Sequence, residues 1–395
     1  MAPMSLSLDP EALNTCVSCG LCLPHCPTYR VTGDEALSPR GRIDAMRSIE
    51  VRGAPIDNDV VEFMSTCVQC RGCEPACPSG VPYGDLIEAT RSELARQGRI
   101  TPWWQRRGLA VLPRHGMLLA GSTMLAWAQR FGLVPRRFVA GRLPVRRGPA
   151  VRATATSEGA HVWLYTGCVM DAWMRSTHRS TATVLDAMGM TYALPGSTGG
   201  CCGALHAHAG LHDDAVALAE RVMRSMPGDA PIVVNSAGCG AQLQHYGALL
   251  GTEDAIRFAE RVVDIGEFVA AHADRLPELR PTGATIVVQD PCHLRHVQRA
   301  HEPVREMLRP IATLVELDDA GLCCGAGGAY SVVEPELATD IRDRKLAAID
   351  RAVAASGATV VVSANPGCSM HLERSLSERG LTVRHPIDVL AAALA

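Results

Sequence analysis

Several things are scarce in this 395-residue chain, and each scarcity excludes something. Charge imbalance is small: 38 Lys and Arg against 41 Asp and Glu leave a formal charge of −3, so the chain does not read as a nucleic-acid binder. Lysine is nearly missing. Lys345 is the one example, and arginine carries the rest of the positive charge, which looks like a genome-wide preference. Aromatic residues make up 4%. No apolar run is long enough to cross a bilayer: the longest, residues 116–128, is short and follows Pro113, Arg114 and His115. Residues 1–14 hold no basic n-region, long apolar stretch or twin arginine. The expected compartment is therefore the cytoplasm. No G-x-G-x-x-G follows a strand pattern, and Gly325-Ala326-Gly327-Gly328 has the wrong spacing, so no nucleotide or flavin is expected on this chain.

Cysteine is what the chain has. There are 16, and every one belongs to a repeated motif. Cys16, Cys19, Cys22 and Cys26, followed by Pro27, form a C-x-x-C-x-x-C-x-x-x-C-P run, and Cys67, Cys70, Cys73 and Cys77, followed by Pro78, repeat it. Bacterial ferredoxins hold two [4Fe–4S] clusters in this way, the fourth cysteine of each run ligating the other cluster. The expected ligand sets are Cys16, Cys19, Cys22 and Cys77 for one cluster and Cys67, Cys70, Cys73 and Cys26 for the second. Three cysteines at i, i+3 and i+6 wrap three iron corners, and the proline turns the chain away without stranding an N–H. Disulfides suit small secreted chains rather than this one. Zinc is the better rival, but zinc sites usually pair two C-x-x-C knuckles and do not need the closing C-x-x-x-C-P.

The other eight cysteines form two copies of a sparser pattern: Cys168, Cys201, Cys202 and Cys239, then Cys292, Cys323, Cys324 and Cys368. Each copy opens with a short apolar strand (residues 161–165, 285–289) that runs into the first cysteine. A Cys-Cys-Gly turn follows, then a second strand (231–235, 359–363) leading to the last cysteine. Strands alternating with helical stretches predict parallel α/β units, with the cysteines gathered at the carboxyl edge where such sheets bind ligands. Gly203 and Gly325 let the chain turn sharply enough for two adjacent thiols to face one site. These eight are candidate metal ligands of a further centre; the bland reading is small buried hydrophobes.

Residues 1–99 read as a helical cluster domain, with helix patterns over 39–49, 57–64 and 83–97. Residues 100–158 form an arginine-rich amphipathic connection. From Leu94 to Ser157 there is no Asp or Glu, but Arg106–Arg107, Arg136–Arg137 and Arg146–Arg147 alternate with apolar stretches such as Trp103–Trp104. This region, Arg106 to Arg147, could lie on an anionic membrane face, dock an acidic partner or pack on the protein itself. Residues 159–280 and 281–395 are the two Cys-Cys-Gly modules. The expected fold class is α/β overall, an all-helical two-cluster ferredoxin domain preceding a duplicated α/β domain. His206, His208, His293 and His296 sit beside the Cys-Cys-Gly cysteines and could donate to cluster sulfur, though plain loop histidines are the simpler reading. Asp290–Pro291 reads as a turn.

The runs CVSCGLCLPHCPTY and CVQCRGCEPACPSGVPY, the intervening GDE and SPRGRI, and GCCGALHAHAG, NSAGCGAQLQHYG, LCCGAGGAYSV and NPGCSMHL resemble the iron–sulfur subunit of bacterial glycolate oxidase. Lactate-utilisation and anaerobic glycerol-3-phosphate dehydrogenase iron–sulfur subunits share these parts. The resemblance implies an electron-transfer subunit, not catalytic alone and carrying no catalytic residue. It would relay electrons from an FAD-containing dehydrogenase subunit to quinone or another acceptor, peripherally on the inner face of the membrane. The Cys-Cys-Gly modules also resemble the catalytic subunit of heterodisulfide reductase, a thiol–disulfide enzyme. That pattern closes each module with C-x-x-C, whereas here Gln242 and His371 stand at the fifth positions.

Overall fold

The computed structural model describes residues 5–134, 143–196, 198–319 and 321–394. Arg136–Arg137 of the arginine-rich segment lie outside the described residues. The chain divides into two compact units. The first is Met1–Leu109 with Ala204–Ala215 and Leu322–Lys345; the second is Ala110–Gly203, Val216–Gly321 and Leu346–Ala395. These units cut across the segments expected from sequence, because two short stretches of the Cys-Cys-Gly modules pack with the N-terminal cysteine runs.

Every described element of residues 5–109 is helical. Ser38 opens the helix Pro39–Glu50 by accepting from the Gly41 N–H at 3.0 Å, with Pro39 in the first turn. Asp57 caps Asn58–Ser65 through the Val60 N–H at 2.9 Å. Tyr83–Arg96 buries Leu86, Ile87, Thr90 and Leu94 on one stripe. These helices close on Ile43, Met46, Ile49, Val60, Met64 and Ile87, a core that also holds Cys67 and Cys73.

The second unit is built on two parallel sheets of the same order. The first holds β1 (Val162–Tyr165), β2 (Tyr192–Ala193), β3 (Ile232–Val234) and β4 (Val262–Asp264), arranged β2-β1-β3-β4. The second holds β5 (Ala284–Val288), β6 (Ala312–Glu316), β7 (Val360–Val362) and β8 (Thr382–Arg384), arranged β6-β5-β7-β8. Leu164 pairs with Val233 across β1–β3, and Val287 pairs with Val361 across β5–β7. The strand order reverses between β1 and β3 and again between β5 and β7, the switch point where open α/β sheets bind ligands. The sheets share one core, in which Leu164 and Val233 belong to the same cluster as Ile286 and Val362.

The helix His115–Arg130 buries Leu118, Ser122 and Ala126 on one face, Leu118 packing with Cys168, Cys201 and Leu218. Its other side exposes Met117, Met124, Leu125 and Trp127, with Phe131 and Leu133 beyond its end. Arg147 is committed to its own unit, donating to the Ala172 carbonyl at 2.7 Å and the Leu119 carbonyl at 2.9 Å. No described helix is long and apolar enough to cross a membrane.

Candidate functional site

The two N-terminal cysteine runs adopt one backbone conformation. Ser18 (φ 58°) and Gly20 (φ 83°) flank Cys19, and Gln69 and Arg71 (both φ 57°) flank Cys70 at the same positions. Glycine takes this left-handed region without strain, whereas the other three carry a steric cost. Alternating backbone hands turn successive N–H groups inward, making the kind of nest that receives anions, iron–sulfur clusters among them. Arg71 is held in place by Glu74 at 2.8 Å, whose other oxygen accepts from the Gly84 N–H at 2.7 Å. A Cβ on Gly84 would meet the Arg71 guanidinium at 2.5 Å, so the glycine makes room for this pair.

Cys16, Cys19 and Cys22 line one cavity together with Cys77 and Cys73 of the second run. Around the second loop, Cys73 is buried beside Cys70, Cys67 and Cys26. Burial pushes its thiol well above the ordinary value, and those neighbours push the same way. Burial likewise raises Cys26, against the lowering influence of Arg42. Thiols gathered in a dry pocket cannot all ionise without a cationic centre among them, and iron meets that need. Sulfur acceptors are supplied with donors: the Gln69 N–H lies 3.4 Å and the Tyr83 hydroxyl 3.5 Å from Cys67 Sγ. Thr28 Oγ1 lies 3.1 Å from Cys26 Sγ. The cysteine donors, the nests and these hydrogen bonds fit a cluster. Among the described residues, no three His, Cys, Asp or Glu side chains close to the spacing of a single metal ion.

Two arginines that sequence reasoning passed over are buried here. Arg42 is 1% exposed and donates to the Phe63 carbonyl (2.5 Å), Thr28 Oγ1 (3.3 Å) and Thr66 Oγ1 (3.2 Å). Burial would lower its pKa, but Tyr83, Cys67 and Cys26 together lift it above the ordinary arginine value. Arg91 donates to the carbonyls of Met64, Ser65, Cys67 and His208 at 2.7–2.9 Å. It closes the end of the helix that delivers Cys67. A signal for Arg42 was available: it shares a helical stripe with Met46 and Ile49, where a charge is out of place.

In the second unit, the first module gathers its four thiols at the switch point. Cys168 follows β1 and Cys239 follows β3. Cys202 Sγ lies 3.4 Å from Cys239 Sγ, and Cys168 is hydrogen-bonded to Cys201. The bond from Cys202 lowers the Cys239 thiol despite burial, and Cys202 is raised correspondingly. Gly203 and Gly325 both have φ of 84°, the turn that each Cys-Cys pair needs.

The second module's cysteines divide between the units. Cys292 opens a π-helical turn, His293–Gln298, a rare form that recurs at functional sites. Cys368 is buried on Pro366–Ser377, with Asn365 Nδ2 3.5 Å from its sulfur. Cys323 and Cys324 belong to the first unit. There Cys323 bonds to Cys70 and lowers that thiol, while accepting from the Gly325 N–H at 3.4 Å.

Of the four histidines, His206 is buried, and His208 contributes its carbonyl, which accepts from Gln69 Nε2 at 2.9 Å. His293 and His296 lie in the π-helical turn. Gln242 and His371 are buried one helical turn beyond Cys239 and Cys368. Asp290 does more than turn the chain: it accepts from Arg295 at 2.8 Å and from Arg305 at 3.0 Å, and Arg305 also pairs with Glu316.

Helical cysteine runs with nests, joined to parallel sheets with thiols at their switch points, define an iron–sulfur protein with cysteine-rich α/β modules. Residues 12–81 match the family model described as a 4Fe-4S dicluster domain. Residues 162–244 and 286–373 match that of a cysteine-rich domain. The chain is 31% identical to the "Probable glycolate oxidase iron-sulfur subunit" of Bacillus subtilis, over 98% of this chain and 95% of that protein. It is 31% identical to the "Glycolate oxidase iron-sulfur subunit" of Escherichia coli, over 97% and 94%. A dihydromethanophenazine:CoB–CoM heterodisulfide reductase subunit of Methanosarcina barkeri is 27% identical, over 97% and 94%. The chain belongs to the family of glycolate oxidase iron–sulfur subunits.

Proposed function

We propose that this chain is the electron-relaying subunit of a 2-hydroxy-acid dehydrogenase complex, glycolate being the expected substrate. It takes electrons from an FAD-containing subunit and passes them to quinone or another acceptor, and it does not turn over alone. One cluster is held by Cys16, Cys19, Cys22 and Cys77, and the other by Cys67, Cys70, Cys73 and Cys26. The observation that carries this reading is that Cys77, from the second run, lines the same cavity as the first three cysteines of the first run. When bound, the clusters supply one-electron redox capacity over a wide range of potential. The chain's own residues set their surroundings: nest N–H groups and the Tyr83 hydroxyl bond to sulfur, and Arg42 offers a buried positive charge.

The domain reading keeps a helical two-cluster domain over residues 1–99, a connection over 100–158, and duplicated modules over 159–280 and 281–395. The identical strand order of the two sheets supports the duplication. Cys168, Cys201, Cys202, Cys239, Cys292, Cys323, Cys324 and Cys368 are the candidate ligands of a further centre. Peripheral contact with the cytoplasmic membrane face is supported by the exposed Met124, Trp127, Phe131 and Leu133.

Iron and acid-labile sulfide per chain, with low-temperature EPR of the anaerobically reduced protein, test the reading. About eight irons with a spin-coupled signal meet the expectation for two clusters, and about twelve or more place a centre in the modules as well. Absence of iron with tightly held zinc sinks it.

A further inference from the structure

The two cysteine runs share a backbone conformation, so each shows what the other would look like in different surroundings. Val17 follows Cys16 and Val68 follows Cys67, the same residue at the same place in the loop. Val68 is 5% exposed, whereas Val17 is 69% exposed. The second loop is covered by its own unit. Gln69 Nε2 donates to the His208 carbonyl at 2.9 Å, Cys70 is bonded to Cys323, and a Cβ on Gly327 would lie 3.1 Å from Val68 Cγ1. The first loop has no such cover among the described residues. Leu21 is 55% exposed, and of the sixteen cysteines, all of them described, Cys19 alone is exposed. Single apolar residues scattered over a surface are ordinary. Here two of them flank one expected ligand, in a loop whose twin is buried.

Charge also separates the runs. Arg42 and Arg91 are both buried beside the second, Arg91 reaching the Cys67 carbonyl at 2.7 Å. Near the first, Arg40 donates to the Ser18 carbonyl at 2.9 Å but is paired with Glu35 at 2.6 Å. Arg47, which donates to the Cys16 carbonyl at 2.8 Å, is half-buried. Buried charges are screened less than those that water reaches, so the second centre holds an added electron more strongly. Electrons arriving at the first run downhill to the second.

We propose that the FAD-containing subunit docks on the surface around Val17, Cys19 and Leu21, so that electrons come onto the first cluster and pass from it to the second. The assignment rests on the relay reading above and adds to it a surface and a direction. A donor carried by another chain must reach a cluster from outside; the second loop is closed to it and the first is open. The partner it fits presents an apolar patch, since the ionic pair at this loop is already complete. The reduced flavin gives up two electrons and two protons. Each cluster takes one electron and the protons go to solvent, so the transfer balances.

Anaerobic stopped-flow mixing of the cluster-loaded chain with the purified FAD-containing subunit and glycolate tests the surface. The proteins compared are the parent, the pair Val17→Gln with Leu21→Gln, and Val332→Gln. Val332 is 42% exposed and lies on the stretch that covers the second loop. Glutamine is neutral, so the charge around the clusters does not change. At limiting partner concentration the clusters of the paired variant should be reduced at least tenfold more slowly, about the loss expected when one apolar side chain no longer packs at an interface. Val332→Gln should match the parent. Leu21→Gln alone, about threefold slower, carries the test should the pair lower iron content. Dithionite reaches a cluster without docking and should reduce all the proteins alike, which separates lost docking from lost clusters. Equal rates in the parent and the paired variant, or slowing by Val332→Gln instead, overturn the surface. So does self-association of the parent chain that the paired variant loses, which would give this face to a second copy. If dithionite reduces the parent's clusters but the glycolate-loaded flavoprotein does not, the relay reading itself fails.

Discussion

Arg42 is the sharpest point at which the buried surroundings can be tested. It donates to the neutral oxygens of Phe63, Thr28 and Thr66, and a guanidinium this deeply buried needs a counter-charge. The anions available to it are the cysteine sulfurs of Cys67 and Cys26 once they act as thiolate ligands; the Tyr83 phenol beside it is kept protonated by burial. Two hydrogen-bond legs, Arg42 Nη2 to Thr28 Oγ1 (3.3 Å) and Thr28 Oγ1 to Cys26 Sγ (3.1 Å), keep the charge within about 6.5 Å of that sulfur. With an effective dielectric of about 20, a unit charge at that range is worth about 2.5 kcal/mol. For a one-electron couple this equals roughly 100 mV. A positive charge favours the more negative, reduced state, so Arg42→Gln lowers the midpoint potential of the centre held beside Cys26 and Cys67 by about 100 mV. Arg42→Lys keeps the charge and shifts it by less than half as much. The other centre moves less, since Cys22 is governed by burial, by hydrogen bonds from the backbone of Arg40 and its own, and by Cys16 and Cys26, with Arg42 not among its neighbours of weight. An EPR-monitored redox titration of the anaerobic complex measures both. A change under about 20 mV in Arg42→Gln with full iron content, or equal shifts in the Gln and Lys variants, would refute the electrostatic argument.

Gly210→Ala places a side chain at φ 74° and drives it into the Arg91 carbonyl. A loss of more than about 2 kcal/mol is expected in chemical denaturation, since the strain alone is worth roughly 1–3; a neutral result would show that this close approach is not rigid. Arg91→Met leaves buried carbonyls of Met64, Ser65, Cys67 and His208 without their donor; a cost of about 3 kcal/mol or more and lower iron retention should appear in melts and iron assays. His178 is buried, accepts from Asn235 Nδ2 at 2.9 Å, and is held down to about 4, chiefly by burial. Its unfolded value is near 6.5, so its contribution is complete above pH 6.5 and is lost as pH falls toward 4, up to roughly 3 kcal/mol. His178→Gln should therefore narrow the stability gap to the parent between pH 7 and 5. Asp264, pushed up to about 7 by burial, works the other way across that window, so melts of parent and variant must be compared at each pH. Trp127→Ser with Phe131→Ser should reduce sedimentation with anionic liposomes at least threefold without changing iron content; unchanged sedimentation would remove this face from membrane contact.

The helices and the cysteine-bearing strands were legible because period and punctuation agreed. Ile43, Met46 and Ile49 repeat at helical spacing behind Ser38–Pro39, and β1, β3, β5 and β7 are apolar runs leading toward a cysteine. Their outer neighbours left little trace: β2 is two residues long, and β8 (Thr382–Arg384) has two exposed residues of three. Backbone hand was legible at Gly203 and Gly325. It was not at Ser18, Gln69 and Arg71, whose residue types ordinarily avoid positive φ and adopt it here because the loops demand it.

The sharper gap concerns arginine. In a chain with one lysine, abundant arginine invites a compositional explanation, and that explanation hides the residues that matter most. Arg42 and Arg91 are buried beside the second cysteine run, and Arg147 fastens a helix to its own unit; none of them is part of a basic surface. Lysine could not replace Arg91, because four carbonyls at different angles need the forked geometry of a guanidinium. Along 94–157 the exposed arginines, among them Arg106, Arg107, Arg114 and Arg130, share the surface with apolar residues that also face solvent, Trp103, Trp104, Trp127 and Phe131. The surroundings of the second run are likewise invisible in linear order. A cavity beside it takes Leu205 from one module and Tyr330 from the other, and Cys323 reaches Cys70 although the two lie far apart in the sequence. Motifs name the donors; packing between distant loops decides what stands beside them.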